Sequence, residues 1–279
     1  MGYDISEPYG PLIESTARVA VWNVWARYGP WRERERAITA VLEGADADVV
    51  VLVEAWETPE ESQADRLGTR LGLAHRVFRG VPDETASDGG LSGVAVLSRW
   101  PLGQVGEQRL GRQDGWDGGF AMFARVNGPR GPLQVFGVTL GWKLGHSVQR
   151  QQQVRDLGVY VRKEGDAEAP IVVAGDLNAA PDSDEVRMLT GRAAVPAPGL
   201  VFYDAWEVAG DGTAGHTWSN ANPWARPVLW PDRRIDYVLS AWPRQGGAGH
   251  PVRCGLLGTS PLDGVMPSDH YGVVADLRY

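Results

Sequence analysis

Acidic side chains stand where the apolar segments of this sequence end. Glu54 closes the run DVVVLVE, residues 48–54, whose continuous apolar character is typical of a strand buried on both faces. A carboxylate in such a place costs desolvation free energy unless it is paired or bound to a cation. The alternative is a surface glutamate just beyond the strand, and this run alone does not decide between the two.

A second apolar segment, residues 171–174, runs directly into the sequence GDLN, which contains Asp176 and Asn178. Side chains two residues apart on an extended backbone point to the same side. Asp176 and Asn178 can therefore offer a carboxylate acceptor or base and an amide donor to one ligand. Gly, Asp and Asn are also typical turn residues, so a simple turn into the next helix is the structural alternative.

Two further acids occur beside strands near the C-terminus. Asp236 lies within the β-forming run RIDYVL, where an unpaired carboxylate would be destabilising, and Asp269 and His270 are adjacent just before the last apolar run. A lone histidine is more often structural than catalytic. The occurrence of these groups in one chain with the acids described above indicates a common site for acid–base or metal chemistry.

The elements that must position these groups are short strands and a few helices. β-branched and alternating runs predict strands at residues 18–23, 48–54, 93–98, 120–126, 133–140, 171–174, 235–239 and 273–277. Helical patterns cover residues 31–43, 60–71, 147–163 and 183–190. The helix at 31–43 is predicted to lie on the surface, with the charged stretch 32–36 facing solvent. Clusters of Gly and Pro predict loops at 80–92, 111–119, 191–199 and 241–264.

The length and charge are those of one globular α/β unit. The chain has 279 residues, with 27 Lys and Arg against 35 Asp and Glu and a formal net charge of -8. We expect a single domain over residues 1–279, with 1–16 as an N-terminal extension. The acidic balance argues against the broad basic face that binds duplex DNA, although it leaves room for a local basic cleft.

The number of cysteines limits which ligand atoms a metal site could have. Cys254 is the single cysteine, which excludes an intrachain disulfide framework and a multi-cysteine zinc site, so a metal would be held by oxygen and nitrogen. No stretch approaches the roughly 18 apolar residues that span a bilayer, and a signal-peptide pattern is not evident. We therefore expect a cytoplasmic protein without membrane insertion, and the sequence implies no protein partner.

The order of the short motifs resembles the endonuclease/exonuclease/phosphatase superfamily. The motifs are VWNVW with Asn23, LVE with Glu54, SGVAVLSRWP from Ser92, GDLN with Asp176 and Asn178, RIDY with Asp236, and SDH with Asp269 and His270. The resemblance runs from about residue 17 to the C-terminus. It implies a four-layer α/β sandwich, in which two mixed β-sheets lie face to face between helices and the site lies at one end.

The resemblance also implies roles for individual residues in phosphoester hydrolysis. Glu54 would be the principal ligand of one Mg²⁺ or Mn²⁺ ion, with Asp269 and Asn23 nearby, and oxygen ligands suit such hard ions. Asp176 would orient or deprotonate the attacking water, and Asn178 would hold a phosphate oxygen. Asp236 and His270 would form an acid–imidazole pair that binds phosphate or assists the leaving group.

Two positions depart from the family pattern. Many relatives have Thr-His-Leu before the long helix, whereas this chain has Val-Thr-Leu, so Thr139 occupies the histidine position. Threonine is neither a cation nor a strong proton donor, which leaves the leaving-group step without its usual residue. Lys143 or His146 is a candidate replacement, and a solvated loop charge is the alternative. Trp25 stands where abasic-site endonucleases carry a further carboxylate, which favours a single ion.

Twelve tryptophans offer surfaces for a substrate. Trp142, Trp218 and Trp224 are candidates for substrate contact, together with Thr139 and Asn178, because residues 216–226 resemble the loop that shapes the substrate pocket in relatives. Core packing is the alternative for any one tryptophan.

The sequence leaves three possible functions open. The first is a hydrolase of a small or medium phosphoester such as a nucleotide, lipid head group or phosphorylated metabolite. The others are a DNA or RNA nuclease and a non-catalytic binding protein.

Overall fold

The computed structural model describes residues 6–83, 86, 88–111 and 118–279, and most of its elements are β-strands. In chain order the strands are β1 (Thr16–Asn23), β2 (Val49–Glu57), β3 (His75–Pro82), β4 (Leu91–Ser98), β5 (Leu102–Leu110), β6 (Gly119–Gly128), β7 (Gly131–Thr139), β8 (Ile171–Asp176), β9 (Phe202–Asp204), β10 (Asp236–Ala241), β11 (Pro251–Leu257) and β12 (Gly272–Arg278). The α-helices are α1 (Trp31–Ala45), α2 (Gln63–Arg70), α3 (Ser147–Glu164), α4 (Asp184–Leu189) and α5 (Ala205–Ala209).

The strands form two six-stranded mixed sheets. The first has the order β11-β12-β1-β2-β4-β3 and the second β5-β6-β7-β8-β10-β9. Each sheet has one parallel pair at its centre, β1 with β2 and β7 with β8, and the remaining pairs are antiparallel. The parallel pairs are connected by α1 and α3, as parallel neighbours require a crossover. Four predicted site residues, Asn23, Glu54, Thr139 and Asp176, lie at or near the carboxyl ends of these central strands.

Three hydrophobic clusters show the layer order. The cluster between the sheets draws buried residues from β1, β2, β4, β6, β7, β8, β10 and β12. A second lies between the second sheet and α3 and α4, and a third between the first sheet and α1 and α2. The layers are therefore helix, sheet, sheet, helix, which confirms the predicted four-layer sandwich. Among the described helices, none combines the length and apolar character that crossing a membrane requires.

The missed strands lie mainly at sheet edges. The central strands fall where the sequence predicts them, because they are buried on both faces and read as apolar runs. The edge strands β3, β5, β9 and β11 were not predicted, and β11 lies inside the predicted loop 241–264. An edge strand has fewer buried neighbours and needs fewer apolar residues, so its pattern is weaker. Residues 112–117 of the predicted loop 111–119 lie outside the described residues.

Helix α1 begins where it was predicted, but its charged face is not wholly exposed. Arg34 and Glu35 are buried, whereas Arg32, Glu33 and Arg36 face solvent. The expectation of a uniformly solvated stretch 32–36 is therefore wrong.

Part of the expected N-terminal extension is hydrogen-bonded to the loop before β11. The backbone amide of Ile13 donates to the carbonyl of Gly246.

Candidate active site

The predicted site residues meet at one edge of the sandwich. Asn23 ends β1, Thr139 ends β7, Asp176 ends β8, and Asp236 begins β10. A cleft of about 810 Å³ opens there, and the predicted residues lining it are Glu54, Thr139, Trp142, Asp176, Asn178, Trp218, Asp269 and His270. Ligands in open α/β sheets bind outside the carboxyl ends of parallel strands, and this cleft follows that rule.

A β-bulge directs Glu54 out of the ladder. In the pairing of β2 with β4, the register shifts between Val53 and Ala55, so Glu54 has no partner across the ladder. Its backbone adopts φ +54°, which a non-glycine residue rarely does and which costs about 1–3 kcal/mol. A bulge beside a site re-aims one side chain at the cost of a local break in the ladder. The bulge thus explains how a residue inside a buried strand lines the cleft.

Asn23 joins acids from the two sheets. Its Nδ2 donates to Glu54 Oε1 at 3.0 Å and to Asp176 Oδ2 at 3.1 Å. Its Oδ1 accepts the amide hydrogen of Trp25 at 3.0 Å, which fixes the orientation of the amide. The side chain expected near the ion therefore links the two carboxylates through its nitrogen.

Asp236 and His270 form the predicted acid–imidazole pair. Asp236 Oδ2 lies 2.9 Å from His270 Nδ1, and His270 Nε2 lies 4.0 Å from Asp176 Oδ2. Burial lowers the pKa of His270, but the carboxylates around it, Asp236 foremost, raise that pKa well above 6.5. These carboxylates thus favour the imidazolium, whose Nδ1 would donate its proton to Asp236.

Burial and neighbouring negative charges disfavour the charged forms of the acids in the cleft. Burial, and next the charge of Asp236, raise the pKa of Asp176 to about 7. Burial also raises the pKa of Glu54, and it raises that of Asp269 to about 6, with the charge of Glu54 adding to the latter shift. Like charges in a buried cluster favour a bound cation, and carboxylate oxygens are the ligands that Mg²⁺ and Mn²⁺ prefer.

Two groups of side chains in the cleft could hold such an ion. Asp176, Asp236 and His270 offer ligand atoms that all lie within 4.8 Å of one another. Glu54 and Asp269, the predicted ligands, line the same cleft and influence each other's charge. A protonated His270 has no lone pair for a metal. An imidazolium at His270 would leave the carboxylates as the available ligands.

Asn178 is held by the backbone around it. Its backbone nitrogen donates to Asp176 Oδ1 at 2.8 Å, and its side-chain Nδ2 donates to the carbonyl of Leu140 at 3.0 Å. It adopts φ +51°, a conformation in which asparagine is enriched. One of the two hydrogens on Nδ2 is thus engaged by the backbone, and Thr139 lies beside Asp176 in the register of β7 with β8.

The three candidate tryptophans occupy different places. Trp142 and Trp218 line the cleft. Trp224 is not among the described residues of the lining; its ring packs 5.5 Å from that of Trp25, and its Nε1 donates to the carbonyl of Met266. Trp25 lines the cleft in turn, so Trp224 supports a lining residue from behind. The charged end of Lys143 lies 5.7 Å from the ring centroid of Trp142, at the rim.

Sequence reasoning missed the role of Arg34. Its guanidinium is buried and donates to the carbonyls of Val24, Trp25, Ala26, Tyr28 and Pro267. These carbonyls belong to the loop after β1 and to the residue before the SDH motif. Burial lowers the pKa of Arg34 to about 10, while Asp269 and Glu54 act against that shift. The sequence alone does not indicate these contacts, because an arginine in a charged stretch of a helix ordinarily faces solvent.

The chain belongs to the endonuclease/exonuclease/phosphatase family. The model of that family matches residues 20–270, which span every site residue described above. Members of the family are generally metal-dependent hydrolases, and this chain has a buried group of two aspartates and a histidine that could hold a metal ion. No curated protein sequence is significantly similar to it.

Solved structures with the same fold include bacterial and animal proteins. An endonuclease/exonuclease/phosphatase protein from Beutenbergia cavernae is 28% identical, with a TM-score of 0.70 over 95% of this chain and 72% of that one. D. rerio TDP2, in complex with a single-strand DNA product, is 21% identical, with a TM-score of 0.71 over 95% of this chain and 100% of that one. TDP2 from C. elegans is 16% identical, with a TM-score of 0.72 over 97% and 78%.

Proposed function

We propose that this chain is a Mg²⁺- or Mn²⁺-dependent phosphoester hydrolase in which a water held in the cleft attacks phosphorus in line. The observation that carries the proposal is the buried group formed by Asp176, Asp236 and His270, which Asn23 links to Glu54 through Asp176. Such a group has the acids, the base and the cationic donor that phosphoester hydrolysis needs.

Glu54 and Asp269 are the residues that would hold one ion. Asp269 is buried and Glu54 is partly buried, the pKa of each carboxyl group is raised, and a divalent cation would remove the cost of keeping them charged. Asn23 orients Glu54 through its Nδ2. When bound, the ion would act as a Lewis acid that neutralises charge on the phosphoryl group.

Asp176 is the residue that would hold and deprotonate the water. Its two oxygens accept hydrogen bonds from Asn23 Nδ2 and from the amide nitrogen of Asn178, which fix the plane of the carboxylate. With a pKa raised to about 7, Asp176 is a stronger base than an exposed aspartate and still charged in a useful fraction near neutral pH.

His270 is the residue that would bind the phosphoryl oxygens. Asp236 holds the Nδ1 proton and favours the imidazolium, so the Nε2 proton is directed away from Asp236 on the side where Asp176 lies 4.0 Å away. This distance is too long for a direct hydrogen bond and leaves space for an oxygen of the substrate. Thr139 and Asn178, which line the same part of the cleft, would add neutral donors.

We favour a small or medium substrate, either a diester or a monoester. Arg109 is the cationic side chain, apart from His270, among the described residues that line the cleft, whereas a long polynucleotide requires many phosphates to be neutralised. A nuclease is the second candidate, because D. rerio TDP2 has the same fold and was solved with a single-strand DNA product. The presence of Glu54, Asp176 and His270 in one cleft argues against a non-catalytic binding protein.

Hydrolysis of bis(p-nitrophenyl) phosphate and p-nitrophenyl phosphate tests the proposal. We expect turnover with Mg²⁺ or Mn²⁺, loss of turnover with a chelator, and a fall in kcat of about 10²–10⁴-fold in Asp176→Asn, as for loss of a general base. The matched control is Glu168→Gln, which removes an exposed carboxylate and should leave kcat unchanged. An Asp176→Asn variant as active as Glu168→Gln would contradict the proposal.

The nuclease candidate has its own readout. Single-stranded and duplex DNA would be offered under the same metal conditions over a range of salt concentrations. Binding through several phosphates gives a steep decrease in affinity with salt, about 0.7 per neutralised phosphate on a log–log scale for single strands. A steep slope with efficient cleavage would place nucleic acid ahead of small phosphoesters.

A further inference from the structure

A row of tryptophans leads from His270 to the mouth of the cleft. The Trp218 ring packs edge-on against the His270 ring at 5.1 Å, the Trp230 ring lies 5.7 Å from that of Trp218, and the Trp142 ring lies 5.9 Å from that of Trp230. Trp142 and Trp230 are stacked, with 23° between their planes. All three tryptophans line the cleft. We refer to Trp142, Trp230 and Trp218 as the tryptophan wall.

The outer end of the tryptophan wall faces solvent. Trp142 is 43% exposed, although it is supported by Trp230, and Val228 and Leu229 in the neighbouring loop are 44% and 84% exposed. Core packing accounts for Trp218, which is buried, but not for Trp142. Large apolar side chains that are exposed together at the mouth of a cleft mark a binding surface.

The wall is also flanked by cations. The charged end of Lys143 lies 5.7 Å from the ring centroid of Trp142, and that of Arg233 lies 5.3 Å from the ring centroid of Trp230. The floor of the cleft, in contrast, is formed by acids. A ligand that suits both features has a flat ring for the tryptophans and a negative group near the cations.

We infer that Trp142, supported by Trp230, forms a stacking subsite for the nucleobase of a small phosphoester whose phosphate lies beside His270. The inference rests on the proposed function only for the place of the phosphate. Indole rings stack on bases through their flat faces, with about 1–3 kcal/mol per base, and this contact is tolerant of base identity. A saturated substituent of the same size gains none of the stacking energy.

The subsite also explains how a cleft with few cations selects a nucleotide. Polynucleotide binding draws its affinity from neutralised phosphates, whereas a single stacked base with one phosphate requires only a local contact. The tryptophan wall supplies that contact at the mouth, and His270 with the proposed ion supplies the phosphate contact at the floor.

Calorimetric binding of adenosine 5′-monophosphate and ribose 5-phosphate tests the subsite, because the two ligands differ only by the base. The measurement uses Asp176→Asn protein with Mg²⁺, so that the ligand persists whether or not the wild-type protein hydrolyses it. We expect adenosine 5′-monophosphate to bind about 5–150-fold more tightly, the affinity ratio that corresponds to 1–3 kcal/mol.

Substitutions of Trp142 then test whether this side chain causes the difference in affinity between the two ligands. Adding Trp142→Ala should remove most of the preference for the base, and Trp142→Phe should restore part of it. The control is Trp242→Ala, which removes a tryptophan of similar exposure, 52%, that packs on Tyr203 away from the cleft. Equal affinities for the two ligands, or a ratio that Trp142→Ala leaves unchanged, would overturn the inference.

A second pair of ligands tests whether the ring that stacks on Trp142 is a nucleobase or another aryl group. Phenyl phosphate and methyl phosphate differ by an aryl group in place of a base. A preference for phenyl phosphate that depends on Trp142, with none for adenosine 5′-monophosphate, would overturn the assignment to a nucleobase. Failure of the proposed function is distinguishable, because it would remove hydrolysis by the wild-type protein and leave the affinity ratio intact.

Discussion

Asn23 is one of the residues through which the two sheets share one site. Its Nδ2 contacts Glu54, which we propose as an ion ligand, and Asp176, which we propose as the base. One amide therefore sets the spacing between the two groups whose cooperation the reaction needs. A carboxylate at this position would repel both acids, whereas an amide nitrogen satisfies them.

The raised pKa of Asp176 predicts the acid limb of the pH–rate profile. Burial and the charge of Asp236 raise this pKa from 3.8 to about 7, and only the charged form can accept a proton from water. The activity kcat/KM should therefore fall as the pH decreases, with a midpoint well above 4 and below 7 when the ion is bound, since the ion favours the anion.

Asn23→Ala sharpens this prediction. The hydrogen bond from Asn23 lowers the pKa of Asp176, so its removal should move the acid limb of kcat/KM to higher pH in addition to lowering the rate. A purely structural role for Asn23 would lower the rate at every pH and leave the midpoint unchanged. A midpoint at or below pH 4 in the wild-type protein would contradict the assignment of Asp176 as the base.

Single residues were predictable where a polar side chain interrupts an apolar pattern. Glu54, Asp176 and Asp236 stood out for that reason, and the structure places them together. Trp224 did not stand out in the same way: proximity to a motif in sequence does not say which face of a loop a side chain occupies. The bulge at Glu54 was also beyond sequence reasoning, because its register depends on the partner strand.

At the scale of elements, the loop after β1 depends on a side chain of the following helix. Trp25 and Ala26 have φ values of +55° and +35°, which are unfavourable for residues with a Cβ. Arg34 of α1 donates to the carbonyls of this loop and to Pro267, so one guanidinium fixes both backbone segments that flank the proposed ion ligands.

Arg34→Met should therefore destabilise the protein and loosen the site. Several buried carbonyls would lose their donor at about 1–3 kcal/mol for each unsatisfied group, so we expect the free energy of unfolding to decrease by at least about 3 kcal/mol in urea denaturation. Arg34→Lys should recover part of the loss, because an ammonium has three donors. Calorimetry should show weaker Mn²⁺ binding in both variants.

The control for Arg34 lies two residues further along the same helix. Arg36 is exposed, and Arg36→Met should change the free energy of unfolding by no more than about 0.5 kcal/mol. If Arg34→Met were as stable as Arg36→Met, the guanidinium would not be holding the two segments. The burial of Arg34 was not predictable, since its periodicity in α1 is that of a surface helix and its partners lie in distant loops.

At the scale of the whole molecule, the site exists because two similar sheets face each other. Each sheet has a central parallel pair, and the ends of both pairs lie at one edge of the sandwich. Asn23 and Asp269 are far apart in sequence but are joined through the hydrogen bond from Ser268 Oγ to the carbonyl of Asn23. The site also requires the two sheets to pack together, because Asn23 of the first sheet contacts Asp176 of the second.

The order of motifs made this architecture predictable, because buried central strands and the polar residues at their ends leave the clearest patterns. The edge strands and the tryptophan wall were less predictable, since they depend on contacts between loops distant in sequence. Trp142 and Trp230, for example, follow different strands and meet only in the folded chain.

The place of a bound ion tests the convergence of these distant residues most directly. Crystals grown with Mn²⁺ would locate the metal by its anomalous scattering. We predict one ion bound by carboxylate oxygens of Glu54 and Asp269, at the roughly 2.0–2.2 Å typical of such hard ions, with Asp176 and His270 on the side of the substrate. An ion held instead by Asp176, Asp236 and His270, with Glu54 outside its coordination sphere, would contradict the proposed mechanism.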